Sequence, residues 1–175
     1  MPDIFLTLPQ MADAEEMLAF EIENRSFFEV NVTSRPDGYY SIDGIKRSIE
    51  DATRDALDDN AYQHLVRDKS SRLVGRANLA RVRRAHFHCA DIGYRIAQSE
   101  CGKGYASEAV RLLVAKAFGE LNLVRVEANA RSNNHVSCRV LEKNQFRPFG
   151  RSARSFELGG VWHDVTHYDC RIDGQ

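Results

Sequence analysis

Residues 101–109 read CGKGYASEA, a stretch in which Gly102 and Gly104 flank a lysine immediately before a helical pattern. That pattern predicts the strongest helix of the chain, Tyr105–Leu121, and its first acidic residue is Glu108. The start of a helix leaves backbone N–H groups without partners and carries the positive end of the helix dipole. Because glycine has no side chain, it lets such amides approach a bulky anion. The stretch is therefore typical either of a cradle for phosphate groups or of an ordinary glycine-bearing turn before a helix.

Two common phosphate-binding motifs do not fit this stretch. The Walker A motif needs a glycine where Ala97 stands, and it needs a serine or threonine where Gly104 follows the lysine. The dinucleotide motif GxGxxG fails at its third glycine, which is Ser107 here. A third pattern fits better, the acetyl-CoA pyrophosphate loop Gln/Arg-x-x-Gly-x-Gly/Ala. Gly104 matches its glycine and Ala106 its small residue, while Cys101 replaces the usual Gln or Arg at its head. Because the cradle is made of backbone amides, this replacement should leave phosphate binding intact.

The rest of the chain predicts a sheet with helices packed on its faces, an α/β or α+β fold. Hydrophobic periodicity and turn residues predict strands at Ile4–Leu8, Tyr62–Arg67, Leu73–Val82, Phe87–Ala97, Val124–Ala130, Phe146–Leu158 and Trp162–Arg171. Helices are predicted at Ala12–Asn24, Ile45–Leu57, Tyr105–Leu121 and Asn134–Lys143, and the stretch Phe27–Tyr40 is predicted to be irregular.

Composition favours an ordinary globular protein. The chain has 175 residues, of which 43% are hydrophobic, and 24 Lys+Arg against 25 Asp+Glu give a net charge of −1. This balance argues against a nucleic-acid partner bound through bulk charge. We find neither a secretory signal nor an apolar run near the about 20 residues that span a bilayer. The four cysteines form no CxxC pair, which favours a reduced protein without a metal. We therefore expect one domain over residues 1–175, cytoplasmic and not bound to membranes.

Five segments of the sequence resemble the GNAT family of N-acetyltransferases, and within it the RimJ/RimL-like branch of ribosomal-protein N-terminal acetyltransferases. They are ENRSFF (Glu23–Phe28), VGRANL (Val74–Leu79), DIGYRI (Asp91–Ile96), GKGYASEAV (Gly102–Val110) and NHVSCRVLEKNQF (Asn134–Phe146). The ending ELGGVWHDV (Glu157–Val165) is similar to the last hairpin of that branch. The resemblance implies the GNAT fold, a mixed, mostly antiparallel sheet of six to seven strands with helices on both faces. The sheet would be splayed at its centre, between Asp91–Ile96 and Val124–Ala130.

The resemblance also implies direct transfer of acetyl from acetyl-CoA, the cosubstrate, to an amine, without a metal and without an acyl-enzyme. Acetyl-CoA would lie in the splayed part of the sheet, with its pantetheine arm paired with the backbone near Ile96–Gln98 like an added strand. A backbone N–H near Tyr94–Ile96 would stabilise the oxyanion. The residues implied to bind acetyl-CoA are Ile96, Gln98, Gly102, Lys103, Gly104, Tyr105, Ala106, Ser107 and Asn134. A base would take the proton of the amine, and an acid would protonate the departing thiolate.

The acid is not the tyrosine used by many members of the family, because Leu141 stands at that position. The branch instead implies Ser137, three residues after the asparagine, although this serine could equally be a structural residue at a helix start. Gln145 stands where the family's Leu-Gly-Phe ending has its glycine. Cys101 at a helix start beside Lys103 favours a thiol with a lowered pKa, but direct transfer needs no nucleophilic cysteine.

The base has two candidates. The branch's strand carboxylate aligns nearest to Phe156, and Glu157 is its neighbour. A one-residue offset on a strand points a side chain to the opposite face, so Glu157 could also be a solvated hairpin carboxylate. Glu127 lies on the strand beside the splayed region and is the second candidate base, or it pairs with a nearby arginine.

The acceptor predicted first is the α-amino group of a protein N-terminus, of the ribosomal-protein kind. A small amine, such as a polyamine, an amino acid or an antibiotic, is the alternative, and a non-catalytic CoA-binding module is the alternative from another class. A polyamine site would need clustered acids, and the N-terminal part of the chain offers Glu15, Glu16, Glu21, Glu23 and Glu29. We expect a monomer or a homodimer.

Overall fold

The computed structural model describes residues 2–172. Its strands are β1 (Ile4–Thr7), β2 (Tyr62–Asp68), β3 (Leu73–Arg83), β4 (Cys89–Ile96), β5 (Arg125–Arg131), β6 (Arg147–Leu158) and β7 (Val161–Arg171). Its α-helices are α1 (Ala14–Glu29), α2 (Ile42–Leu57), α3 (Tyr105–Gly119) and α4 (His135–Lys143), with single 3₁₀ turns at Met11–Asp13, Asp37–Tyr39 and Gln98–Glu100. Within residues 2–172, no helix has both the length and the apolar character needed to cross a bilayer.

The strands form one sheet in the order β1-β2-β3-β4-β5-β7-β6. All neighbouring pairs are antiparallel except β4 and β5, which run parallel. The pairing of these two strands covers only residues 89–91 of β4 and 125–127 of β5, whereas β4 continues to Ile96. The two strands therefore part at their C-terminal ends. This opening, which we call the split, confirms the predicted splayed, mostly antiparallel sheet.

Helices cover both faces of the sheet, as expected. On one face, α3 and α4 bury a cluster that includes Leu113, Val126 and Leu141. On the other face, α1 and α2 pack Met17 and Ile45 over the sheet. Alternation along the strands supplies both clusters, because successive strand residues point to opposite faces.

Several predicted boundaries differ from the structure, and two of the differences have a visible cause. Helix α1 runs five residues beyond Asn24, because Phe28 is buried and packs on Phe20 with ring centroids 5.7 Å apart. Strand β4 starts at Cys89 rather than Phe87, since the residues before it form a turn. His86 and His88 there have positive φ angles of 65° and 45°, so they do not share a strand face.

Candidate active site

The glycine loop leads directly into α3. Gly102 and Gly104 have φ angles of +80° and +83°, the left-handed region that glycine enters without strain. Gly104 caps α3 without a side-chain hydrogen bond, and its carbonyl accepts from the Glu108 amide at 3.1 Å. The amides of 105–107 precede this first helical bond and form the positive end of the helix. Glu108 is neutralised by Arg111 at 2.7 Å, so the first turn of α3 suits an anion.

The charged groups beside the loop are already paired with one another. The Lys103 ammonium contacts the buried Glu100 carboxylate at 2.8 Å, and Arg72 contacts the other oxygen of Glu100 at 3.0 Å. The hydrogen bond from Lys103 holds the pKa of Glu100 below its usual value. Partial burial, helped by the charge of Glu100, raises the pKa of the Cys101 thiol. The predicted lowering of that thiol pKa is therefore wrong, because the Lys103 ammonium is paired with Glu100 and does not stabilise a Cys101 thiolate.

Strand β4 leads toward the glycine loop, and its edge facing β3 is hydrogen-bonded as far as Ile96. Ile96 lies opposite Gly75, and it is buried. The amide of Gln98 donates to Asn24 Oδ1 at 2.9 Å, and Asn24 is itself buried in α1. Beyond residue 91, the other edge of β4 faces the split. The predicted pairing of a cofactor arm with 96–98 therefore cannot use the Gln98 N–H, which Asn24 already occupies.

A tyrosine that was not among the predicted catalytic residues joins β4 to α4 across the split. Tyr94 Oη lies 2.9 Å from Ser137 Oγ and 3.3 Å from the Ser137 carbonyl. Burial raises the pKa of Tyr94 to about 12. The sequence contained its signal within the segment DIGYRI, but the pairing partner lies in a distant segment. Leu141, at the position of the family's usual acid, is buried in the core.

Asn134 caps α4 at the open end of the split. Its Oδ1 accepts from the Ser137 amide at 3.1 Å, and its Nδ2 lies 3.5 Å from Asn31 Oδ1. Arg131, at the end of β5, donates to the Val30 carbonyl at 3.1 Å and to Asn31 Oδ1 at 2.5 Å. The segment that follows α1 therefore crosses to β5 and α4 beside Ser137.

The two predicted base candidates, Glu127 and Glu157, contact other groups than Tyr94 and Ser137. Glu127 is opposite Asp91, in the paired part of β4 and β5, and it forms ion pairs with Arg83 at 2.9 Å and with Arg125. Glu157 is exposed at the end of the last hairpin, and its Oε1 accepts from the Gly160 amide at 2.5 Å. The alternative prediction for Glu127, that it pairs with a nearby arginine, is confirmed. The role of either carboxylate as a base stays a prediction.

A groove of about 470 Å³ lies elsewhere on the α3 face. Val114 and Phe118, near the C-terminal end of α3, line it together with Arg171 and Ile172 at the end of β7. Because the glycine loop is at the opposite end of α3, this groove is not part of the candidate active site. Across the described residues 2–172, no group of three or more His, Cys, Asp or Glu side chains is arranged to hold a metal ion.

Known proteins share this architecture. The family model for the acetyltransferase (GNAT) domain matches residues 3–147. The probable N-acetyltransferase YjcK of Bacillus subtilis (strain 168) is 37% identical over 162 residues, which is 92% of this chain and 90% of that protein.

Solved structures show the same fold. The ribosomal-protein-S5-alanine acetyltransferase of Vibrio fischeri superposes with a TM-score of 0.93 at 22% identity, over 99% of this chain and 96% of that chain. The spermidine N-acetyltransferase of Vibrio cholerae, in complex with CoA and spermine, gives 0.81 at 21% identity, over 97% and 95%. With the sheet split between β4 and β5 and the glycine loop at the start of α3, these matches establish that the chain belongs to the GNAT family of N-acetyltransferases and is an acyltransferase.

Proposed function

We propose that this protein transfers acetyl from acetyl-CoA to the α-amino group of a protein N-terminus. Similar proteins are named a ribosomal protein uS5-alanine N-acetyltransferase and a ribosomal L7/L12 α-N-protein acetyltransferase. The observation that carries the proposal is the glycine loop at the start of α3, where no side chain caps the first amides. This loop lies directly beside the open end of β4. Free amides at the positive end of a helix suit a pyrophosphate, and the split gives a thioester access to both faces of the sheet.

In this proposal, the pyrophosphate of acetyl-CoA binds the backbone amides of residues 102–107. Gly102 and Gly104 allow close approach because neither places a Cβ at this surface. The pantetheine arm passes Ile96 and Gln98 on its way to the split, and Asn134 contacts it from the start of α4. Because the Asn134 oxygen already caps α4 and its NH₂ group reaches Asn31 at 3.5 Å, the second hydrogen of that NH₂ group is the donor that remains for the arm.

The proposed acid is the pair formed by Ser137 and Tyr94. When Tyr94 donates to Ser137 Oγ, the serine hydroxyl keeps its own proton for the departing sulfur. The reverse direction leaves the Tyr94 proton available in the same place, since either oxygen of the pair can be the donor. The pair therefore supplies one hydrogen bond to the leaving thiolate, and water completes the protonation.

The charges on α1 favour an α-amine over a polyamine. Three of the five acids expected to hold a polyamine have arginine partners in the structure. Glu16 pairs with Arg67 at 2.8 Å, Glu21 with Arg76 at 2.7 Å, and Glu29 with Arg25 at 3.0 Å. A polycation held by these three acids would have to displace the arginines.

The ionisation of the acceptor points the same way. An α-amine has a pKa of about 8, so deprotonating it at pH 7 costs about 1.4 kcal/mol. An alkylamine with a pKa of about 10.4 costs about 4.6 kcal/mol at the same pH, and therefore depends on a strong base. Glu127 is paired with two arginines, and Glu157 accepts from a turn amide, so neither carboxylate is arranged as a strong base. An α-amine, which is easier to deprotonate than an alkylamine, therefore fits this site better.

The test is the release of free thiol from acetyl-CoA with a panel of N-terminal peptides, the same peptides blocked at the α-amine, and spermidine. We expect turnover only with unblocked peptides. Turnover of spermidine but not of peptides would refute the proposed acceptor, and binding of acetyl-CoA without any turnover would favour a non-catalytic module. Glu127→Gln and Glu157→Gln in the same assay test the two base candidates, since a base lost in this way lowers kcat about 100-fold or more.

A further inference from the structure

Two arginines lie directly opposite each other on β3 and β4, on the sheet face covered by α1 and α2. Arg76 pairs with Arg95 in the register of the two strands. Both side chains are largely buried, with 10% and 18% of their surface exposed. Like charges directly opposite each other across a sheet are destabilising, and a guanidinium does not lose its charge in a protein. Such a pair therefore needs anions.

The chain provides one anion for this pair. Glu21 of α1 is 1% exposed, and its Oε1 accepts from Arg76 at 2.7 Å and from Arg95. Tyr39 completes the cluster through its hydroxyl, which lies 2.6 Å from Arg76 and 3.2 Å from Glu21. Two guanidiniums and one carboxylate leave one unit of positive charge. Burial, together with the nearby charges of Arg76 and Arg35, lowers the pKa of Arg95, whereas burial at Arg76 is outweighed by Tyr39 and Glu21, which raise its pKa.

The nearby acids Glu29 and Asp37 share a single arginine, Arg25, at 3.0 Å each, so these three groups together carry one unit of negative charge. Arg35 adds a positive charge at the surface, with its guanidinium 5.6 Å from the centre of the Tyr39 ring. With Arg35 included, the four arginines and three acids of this region leave one unit of positive charge, on the side where Arg35 is exposed.

The cluster also borders the split. Arg95 lies beyond residue 91, in the part of β4 that has no pairing with β5. Tyr94, the preceding residue, points to the opposite face and reaches Ser137. Acetyl-CoA at the start of α3 would occupy the α3 side, so an acceptor would enter from the α1 side, past Arg95.

We infer that the acceptor carries an anionic group beside its amine, and that Arg95 and Arg35 bind it. For the protein N-terminus of the proposed function, on which this inference rests, this means an acidic side chain in the first few residues. A carboxylate there accepts charge-assisted hydrogen bonds from a guanidinium whose own carboxylate partner, Glu21, is shared with Arg76. A polycation would instead meet like charge.

The experiment compares three peptides that differ only after their N-terminal serine, in the forms Ser-Glu-Glu, Ser-Gln-Gln and Ser-Lys-Lys. We expect kcat/KM to be about 10-fold or more higher for the acidic peptide than for its amide, with the basic peptide lowest. Arg95→Gln should bring the acid-to-amide ratio close to one. That variant leaves Glu21 with Arg76 and Tyr39 as partners.

Two further variants separate local recognition from folding and from net charge. Arg35→Gln changes an exposed loop residue and should lower the same ratio without a change in melting temperature. Arg47→Gln makes the same change of net charge at an exposed position of α2, and it should keep the wild-type ratio.

Calorimetry of the same peptides in the presence of CoA distinguishes this inference from the proposed function. Absence of turnover, with acidic peptide binding that depends on Arg95, would refute the proposed function and support the anion site. Equal turnover and binding of acidic and amide peptides, or a preference for the basic peptide, would overturn the inference and leave N-terminal acetylation standing.

Discussion

The Tyr94–Ser137 pair gives the sharpest test of the chemistry. Tyr94 has a pKa of about 12, whereas an unperturbed thiol has one of about 8.5. Complete proton transfer from this phenol to a thiolate is therefore uphill by about 3.5 pKa units, or about 5 kcal/mol. In the proposed mechanism, the pair would consequently act as a hydrogen-bond donor to the developing charge on sulfur, and not as a full proton source.

A hydrogen bond to a charged group is worth about 1.5–3 kcal/mol. Tyr94→Phe should therefore lower kcat about 10- to 150-fold, with little change in the KM for acetyl-CoA. Ser137→Ala should lower kcat to a similar extent, and the double variant should be hardly worse than either single one, because the two hydroxyls act as a unit. Since Tyr94 stays protonated far above neutral pH, it should contribute no loss of kcat between pH 7 and 10.

The assay is thiol release at saturating acetyl-CoA, with melting temperature measured in parallel. Tyr62→Phe is the matched control, because Tyr62 lies on β2 and its hydroxyl donates to Asp59 at 2.6 Å. The variant therefore removes a hydrogen-bonded phenol hydroxyl outside the Tyr94–Ser137 pair. It should keep the wild-type kcat. If Ser137 is only a structural residue of α4, its variant loses about 1 kcal/mol of stability and keeps its turnover. Near-normal kcat in both Tyr94→Phe and Ser137→Ala would refute the reasoning and leave water alone as the acid.

Three further outcomes follow. Gly104→Asp should weaken CoA binding by calorimetry about 10-fold or more relative to Gly104→Asn, which has the same shape and backbone strain without the charge; equal affinities would contradict a pyrophosphate at this loop. Burial, aided by the charge of Lys116, lowers the pKa of His64 to about 4, so unfolding measured between pH 6.5 and 4 should show stability lost as pH falls. This loss reaches at most about 3 kcal/mol and should be absent in His64→Leu; an unchanged pH dependence in that variant would assign it to other groups. Chelation and dialysis should leave thiol release unchanged, and restoration of a lost activity by zinc would show that a metal is needed.

Local sequence features predicted the helices, the strands and the glycine loop, while the resemblance to the GNAT family implied the splayed sheet and the role of the loop. The glycines before Tyr105 impose their backbone freedom where they stand, and the start of a helix depends only on the residues next to it. Hydrophobic periodicity gave the order of helices and strands for the same reason. The predicted end of α1 was wrong because Phe28 packs on the earlier turn of the helix that holds Phe20. The predicted start of β4 was wrong because His86 and His88 form a turn.

The arrangement of charges and hydroxyls needed the folded chain. Ser137 is 43 positions from Tyr94, and Glu21 lies 55 and 74 positions from Arg76 and Arg95. The sequence offered Glu21 as one acid of a polyamine site, yet in the fold it neutralises two arginines. Lys103 likewise faces Glu100 and leaves the Cys101 thiol with a raised pKa. The sequence by itself determined the order of helices and strands and the glycines at the start of α3, because those features arise from neighbouring residues, and its resemblance to the GNAT family implied the splayed sheet. Only the tertiary structure decided which charges pair beside the split, because partners so distant along the chain meet only when the strands and α1 pack together.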